Sequence, residues 1–85
     1  MTKQTNKECQ NLHQNLHIFR TDIKTKKKVK CIKPVLDNIP NIRGWSIDLE
    51  DIDNVLRIEF RNDLTANEVI LRVKTYGFYC EELED

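Results

Sequence analysis

The chain lacks any apolar run of the ~18 residues that a bilayer-spanning helix requires, so no membrane span is expected among its 85 residues. The stretch from Met1 to Asn15 also lacks the apolar segment of a secretion signal, which makes a cytoplasmic, reducing location the expectation. Net charge is absent too: 14 Lys and Arg balance 14 Asp and Glu, which disfavours a globally basic nucleic-acid binder. Close cysteine pairs are missing. Cys9, Cys31 and Cys80 are odd in number and far apart, which argues against a disulfide scaffold. Apolar residues are themselves scarce, at 39% beside 33% charged. At this length there is room for one small domain, and most large apolar side chains have to serve a single core.

What is present begins with a polar stretch. Met1 to Asn15 is rich in Gln, Asn and Lys, and Leu12 is its only large aliphatic residue after Met1. It reads as a flexible tail ahead of a domain over residues 16–85. From Leu16 to Ile23 the pattern alternates, with Phe19, Thr21 and Ile23 on one face and Ile18, Arg20 and Asp22 on the other, as in a strand. From Lys26 to Asn38 the apolar residues Val29, Ile32, Leu36 and Ile39 recur at helical spacing, with Val35 beside them. Pro34 inside this helix cannot donate to the Lys30 carbonyl, so a kink or a late helix start is expected.

Two more strands follow. Arg43–Leu49 turns Trp45, Ile47 and Leu49 inward, and Val55–Phe60 turns Leu56, Ile58 and Phe60 inward, with a polar turn over Glu50–Asn54 between them. Thr65 and Glu68 have the spacing of a capping box, and Leu64 and Val69 that of a hydrophobic staple. They predict a second helix over Ala66–Tyr76, with Gly77 suited to the position just past its end. A last strand is expected over Phe78–Leu83. Cys80 lies on it in phase with the core, as a buried and inert thiol. The order βαββαβ, with short connections and right-handed crossovers, predicts an α+β ferredoxin-like sandwich. Its four-stranded antiparallel sheet has the order 4-1-3-2, with both helices on one face.

Phe19, Thr21, Ile23, Lys24, Thr25, Lys28, Ile32, Leu36, Ile39, Pro40, Asn41 and Ile42 stand at the spacings of a known pattern, F-x-V-x-M-T-C-x-x-C-x-x-x-I-x-x-x-L-x-x-L-P-G-V. The capped second helix ending in Gly77 and Phe78 continues it. Over Leu16–Leu83 the chain thus resembles the heavy-metal-associated domains of copper chaperones and metal-transporting ATPases. The resemblance implies the ferredoxin-like fold, and it implies a degenerate site. The two cysteines that hold the metal in that family stand where this chain has Thr25 and Lys28. Soft Cu(I) and Zn(II) need thiolates there, whereas threonine offers a weak neutral oxygen and lysine a repelling cation. No cofactor is therefore expected.

Lys24, Lys26, Lys27, Lys28, Lys30 and Lys33 crowd the start of the first helix, where they oppose the positive end of its dipole. With Thr25 and Phe78, the residues Lys24 and Lys26–Lys28 form the expected binding site, for a protein partner or a small anion. The topology places Asp48, Glu50, Asp51 and Asp53 at the same end. These acids are expected to offset the lysines through weak surface pairs, and such a dipolar end can also pair with another copy of itself, as a weak homodimer. Phe78 is expected to pack on Ile23.

A second reading takes Cys9, His13 and His17, spaced i, i+4, with Cys31 as a further donor, as unconventional metal ligands. A third, weaker reading is RNA binding on the open sheet face. That face is expected to carry Ile18, Arg20, Arg57 and Glu59 and no stacking ring, so nucleic acid is not the favoured partner. Arg20 and Glu59 are expected to form a cross-strand pair. Trp45 is expected in the core. No arrangement of nucleophile, base and acid points to an enzyme.

Overall fold

A computed structural model describes residues 15–83. The expected tail lies outside the described residues apart from Asn15. The carbonyl of Asn15 accepts the Phe60 amide at 3.0 Å, which places Asn15 with the folded domain. The elements are β1 (Leu16–Thr21), α1 (Lys26–Asp37), β2 (Ile42–Ile47), β3 (Leu56–Phe60), α2 (Ala66–Thr75) and β4 (Cys80–Glu82). The sheet order is β2-β3-β1-β4, every pair antiparallel, which is the predicted 4-1-3-2 order read from the other edge.

Alternation sorts the two faces. Phe19, Leu56 and Ile58 are fully buried beneath the helices, and Ile32, Leu36, Val69 and Val73 meet them from α1 and α2. Each such side chain stabilises the fold by ~1.5–3 kcal/mol relative to exposure. Arg57 and Glu59, the alternate residues of β3, face solvent on the open side. Trp45 and Ile47 are half-buried and pack against the core from β2. Leu49 does not join them. It falls in the turn after β2, contrary to the expectation of an inward strand residue.

The helix ends are set by local chemistry. The Thr65 hydroxyl accepts the Glu68 amide at 3.2 Å and opens α2. At its far end the Gly77 amide donates to the Lys74 carbonyl at 2.9 Å and the Phe78 amide to that of Val73 at 3.4 Å. This Schellman closure needs a left-handed residue, which Gly77 supplies with φ 91°. Helix α1 does not wait for Pro34. It starts at Lys26 and runs through the proline, which sits on its exposed side, so the Lys30 carbonyl that loses a donor can turn to water.

Both outer ends of the strands are shorter than the alternation predicts. β1 stops at Thr21 because the Tyr79 amide donates to the Asp22 carboxylate at 2.9 Å instead of to a strand carbonyl. β4 correspondingly begins at Cys80 and not at Phe78.

Candidate functional site

One end of the molecule gathers three segments: the turn from β1 into α1, the hairpin between β2 and β3, and the entry to β4. Thr21 joins the first two. Its amide donates to the Asp53 carbonyl at 3.1 Å. Its buried hydroxyl donates to the Asn54 carbonyl at 2.7 Å and accepts the Ile23 amide at 3.2 Å. Asp22 joins the third segment through its bond to the Tyr79 amide. Arg20 adds ion pairs from its Nε to Asp53 at 3.2 Å and from its Nη1 to Glu81 at 3.7 Å.

The expected Arg20–Glu59 pair is thereby corrected. The antiparallel register sets Glu59 opposite Leu16, at the far end of β1, and sets Arg20 opposite Glu81.

The start of α1 carries the predicted site residues. Thr25 is the N-cap, and its hydroxyl accepts the Lys28 amide at 3.1 Å. Lys24, Lys26, Lys27, Lys28 and Lys30 are all exposed. No acidic residue occupies the first turn, and the last turn has no base and ends in Asp37. The charges of α1 therefore oppose its dipole at both ends, at a cost of ~0.3–1 kcal/mol per residue in low salt. Asp37 is compensated locally. It accepts Lys33 Nζ at 2.8 Å and Trp45 Nε1 at 2.9 Å, and these two bonds, that of Lys33 first, hold its carboxyl below the ordinary value. The lysines of the first turn have no such relief. Among the described residues no ion pair joins them to the hairpin acids, contrary to the expected offset.

The hairpin is braced from within. Asp48 accepts the Glu50 amide at 3.0 Å, Asp51 accepts the Asp53 amide at 2.7 Å, and Asn54 takes a left-handed φ of 43°. At its tip Ile52 is 93% exposed. Phe78, at the β4 entry, is half-buried against the core and offers only part of its ring to a partner.

The other candidates separate. Cys9 and His13 lie outside the described residues. His17 is on a strand, not a helix face. Its ring stacks on Phe60 with centroids 4.2 Å apart, and its Nε2 donates to the Leu64 carbonyl at 2.9 Å. Its Nδ1 faces Glu82 at 4.0 Å. Cys31 is exposed on α1, while Cys80 is buried and its thiol pushed up to about 12 by burial. Among the described residues no three His, Cys, Asp or Glu side chains gather closely enough to hold a metal ion. None of their helices is long and apolar enough to cross a membrane. The open face bears a shallow groove lined by Leu16, Gly44, Ser46, Arg57 and Glu59 on the side of Trp45.

Two features escaped the sequence reading. The Lys33–Asp37 pair was open to it as an i, i+4 spacing. The Trp45 bond to the same carboxylate was not, because it joins α1 to β2 through space.

No protein-family model matches the sequence, and neither does any curated protein. Solved structures do resemble it. The yeast copper transporter domain Ccc2a superposes with a TM-score of 0.70 at 21% identity, over 82% of this chain and 96% of that one. The apo heavy-metal-associated domain of the copper chaperone for superoxide dismutase gives 0.68 at 14%, over 81% of this chain and 66% of that one. The CsoZ metallochaperone gives 0.65 at 15%, over 78% and 94%. At these identities the likeness establishes architecture: the chain has the ferredoxin-like βαββαβ fold of heavy-metal-associated domains.

Proposed function

We propose that this chain is a non-catalytic binding module, a degenerate relative of the heavy-metal-associated domains, that docks an acidic protein surface on the lysine turn of α1. The observation that carries the reading is the cluster of exposed Lys24, Lys26, Lys27 and Lys28, without an ion-pair partner among the described residues, on a helix start they destabilise. Charge held against the dipole of its own helix is explained by a partner that supplies the opposite sign. The exposed Thr25 and the half-buried Phe78 complete the patch at its edges. A small anion satisfies the same chemistry less completely, because the consecutive Lys26, Lys27 and Lys28 project about 100° apart around the helix.

Solved relatives of the fold include the Atx1–Cu(I)–Ccc2a complex, in which one such domain meets another protein around copper. The residues of this chain do not fit that cargo at the corresponding turn. The oxygen of Thr25 is committed to the Lys28 amide, and the side chain of Lys28 is a cation. A soft metal ion finds no thiolate there.

The test uses a hexaglutamate peptide, with hexalysine as control, against the full chain and against a Lys24→Glu, Lys27→Glu variant. The wild type is expected to retain hexaglutamate at low salt, at least about tenfold better than the variant, with both proteins folded by circular dichroism. Equal retention removes the reading. Titration with Zn(II) and Cu(I) under reducing conditions addresses the metal-handling alternative. Micromolar or tighter binding, lost on changing His13 and His17, would replace the present proposal.

A further inference from the structure

The lysine turn is one half of a surface whose other half lies in the same chain. Lys24, Lys26, Lys27 and Lys28 stand beside a hairpin that presents Asp48, Glu50 and Asp51. The hydrogen bonds of Thr21 to Asp53 and Asn54 fix the two at one end. They do not neutralise each other. The acids bond to their own turn amides or, in the case of Glu50, to no side chain among the described residues. Asp53, the one hairpin acid with an ion pair, is taken by Arg20. The braced loop cannot fold its acids back onto α1 without giving up those bonds. At the tip of the hairpin, between Asp51 and Asp53, stands the 93%-exposed Ile52.

A positive patch and a negative patch, rigidly adjacent on one end, are complementary to themselves under a two-fold rotation. We infer that a second copy of this chain docks here, the lysine turn of each copy against the acidic hairpin of the other, with the two Ile52 side chains near the axis. This rests on the reading of the lysine turn as a docking surface and names its partner. The balanced totals of 14 cations and 14 anions leave two copies without the long-range repulsion that a charged protein would bring to the encounter.

Charge reversal on each side tests it. One variant carries Lys24→Glu and Lys27→Glu. The other carries Glu50→Lys and Asp51→Lys, with Glu50→Lys alone as a companion in case loss of the Asp51 turn bond disturbs the hairpin. Sedimentation velocity and native mass spectrometry report mass for the full chain from micromolar to millimolar concentration. The wild type is expected to dimerise, at least about tenfold more weakly at 0.5 M than at 0.05 M salt. Each variant alone is expected to be monomeric. An equimolar mixture of the two is expected to restore dimers, now of mixed mass, because both junctions again bring opposite signs together. A wild type that stays monomeric at millimolar concentration and low salt overturns the inference, as does a dimer indifferent to either reversal, or a mixture that does not associate. Retention of hexaglutamate by a monomeric wild type would keep the lysine turn as a docking surface while discarding the second copy as its partner.

Discussion

The amide of Lys28 donates to the hydroxyl of Thr25, and this bond joins the two residues as the N-terminal cap of α1. The bond satisfies one of the free amides of the first turn and gives α1 its start. Changing Thr25→Ala is expected to cost about 1 kcal/mol in chemical denaturation, whereas Thr25→Asp retains the cap and adds a favourable anion to the first turn. The double change Thr25→Cys, Lys28→Cys is expected to confer Cu(I) binding in competition with a chelator. Failure to gain it would mean that this turn does not present its side chains as the metal loops do.

Thr21 holds the hairpin to β1 through a hydroxyl with both its donor and its acceptor role filled inside the protein. Thr21→Val keeps the shape and leaves the Asn54 carbonyl and Ile23 amide unpaired. The expected loss is about 1–3 kcal/mol, read as a lower denaturation midpoint at unchanged slope. Thr21→Ser should keep most of the stability.

Asp37 links acid stability to a fluorescent reporter. Its carboxyl is held below the ordinary 3.8 by the bonds from Lys33 and Trp45. A depressed carboxyl contributes stability that is present above 3.8 and is lost as pH falls through the lower folded value. The emission of Trp45 is expected to change in that acid window, and Asp37→Asn to abolish the transition. An unchanged transition in the variant would assign it to other groups.

The two described cysteines differ in access. Cys31 is exposed on α1, and Cys80 is buried beneath the sheet with its thiol pushed up to about 12. Iodoacetamide at pH 8, mapped by mass spectrometry, is expected to modify Cys31 in the folded protein and Cys80 only after denaturation. Equal labelling of both would show that the β4 edge opens on the labelling timescale.

Much of the architecture was legible in the sequence because its signals are local. The alternation of Leu56, Ile58 and Phe60, the Thr65 cap and Gly77 each fix an element within a few residues. The site was legible in part. The lysine run and its neighbourhood with the hairpin follow from the topology, but the pairings do not. Arg20 reaches Asp53 and Glu81 because of the register and the turn, and neither is written in the alternation of β1. His17 was legible in part for a related reason. The alternation already set it at the start of a strand, against the i, i+4 metal reading with His13, but its stack on Phe60 and its bond to Leu64 come from residues more than forty positions away.

The β-bulge at Arg43 has a consequence for assembly. Along β2, which forms one outer border of the sheet, the register with β3 slips between Ile42 and Gly44, and Arg43 is an exposed cation. A ribbon of copies joined strand to strand would need that border straight and uncharged. The slip and the exposed charge of Arg43 therefore work against strand-to-strand addition at this border.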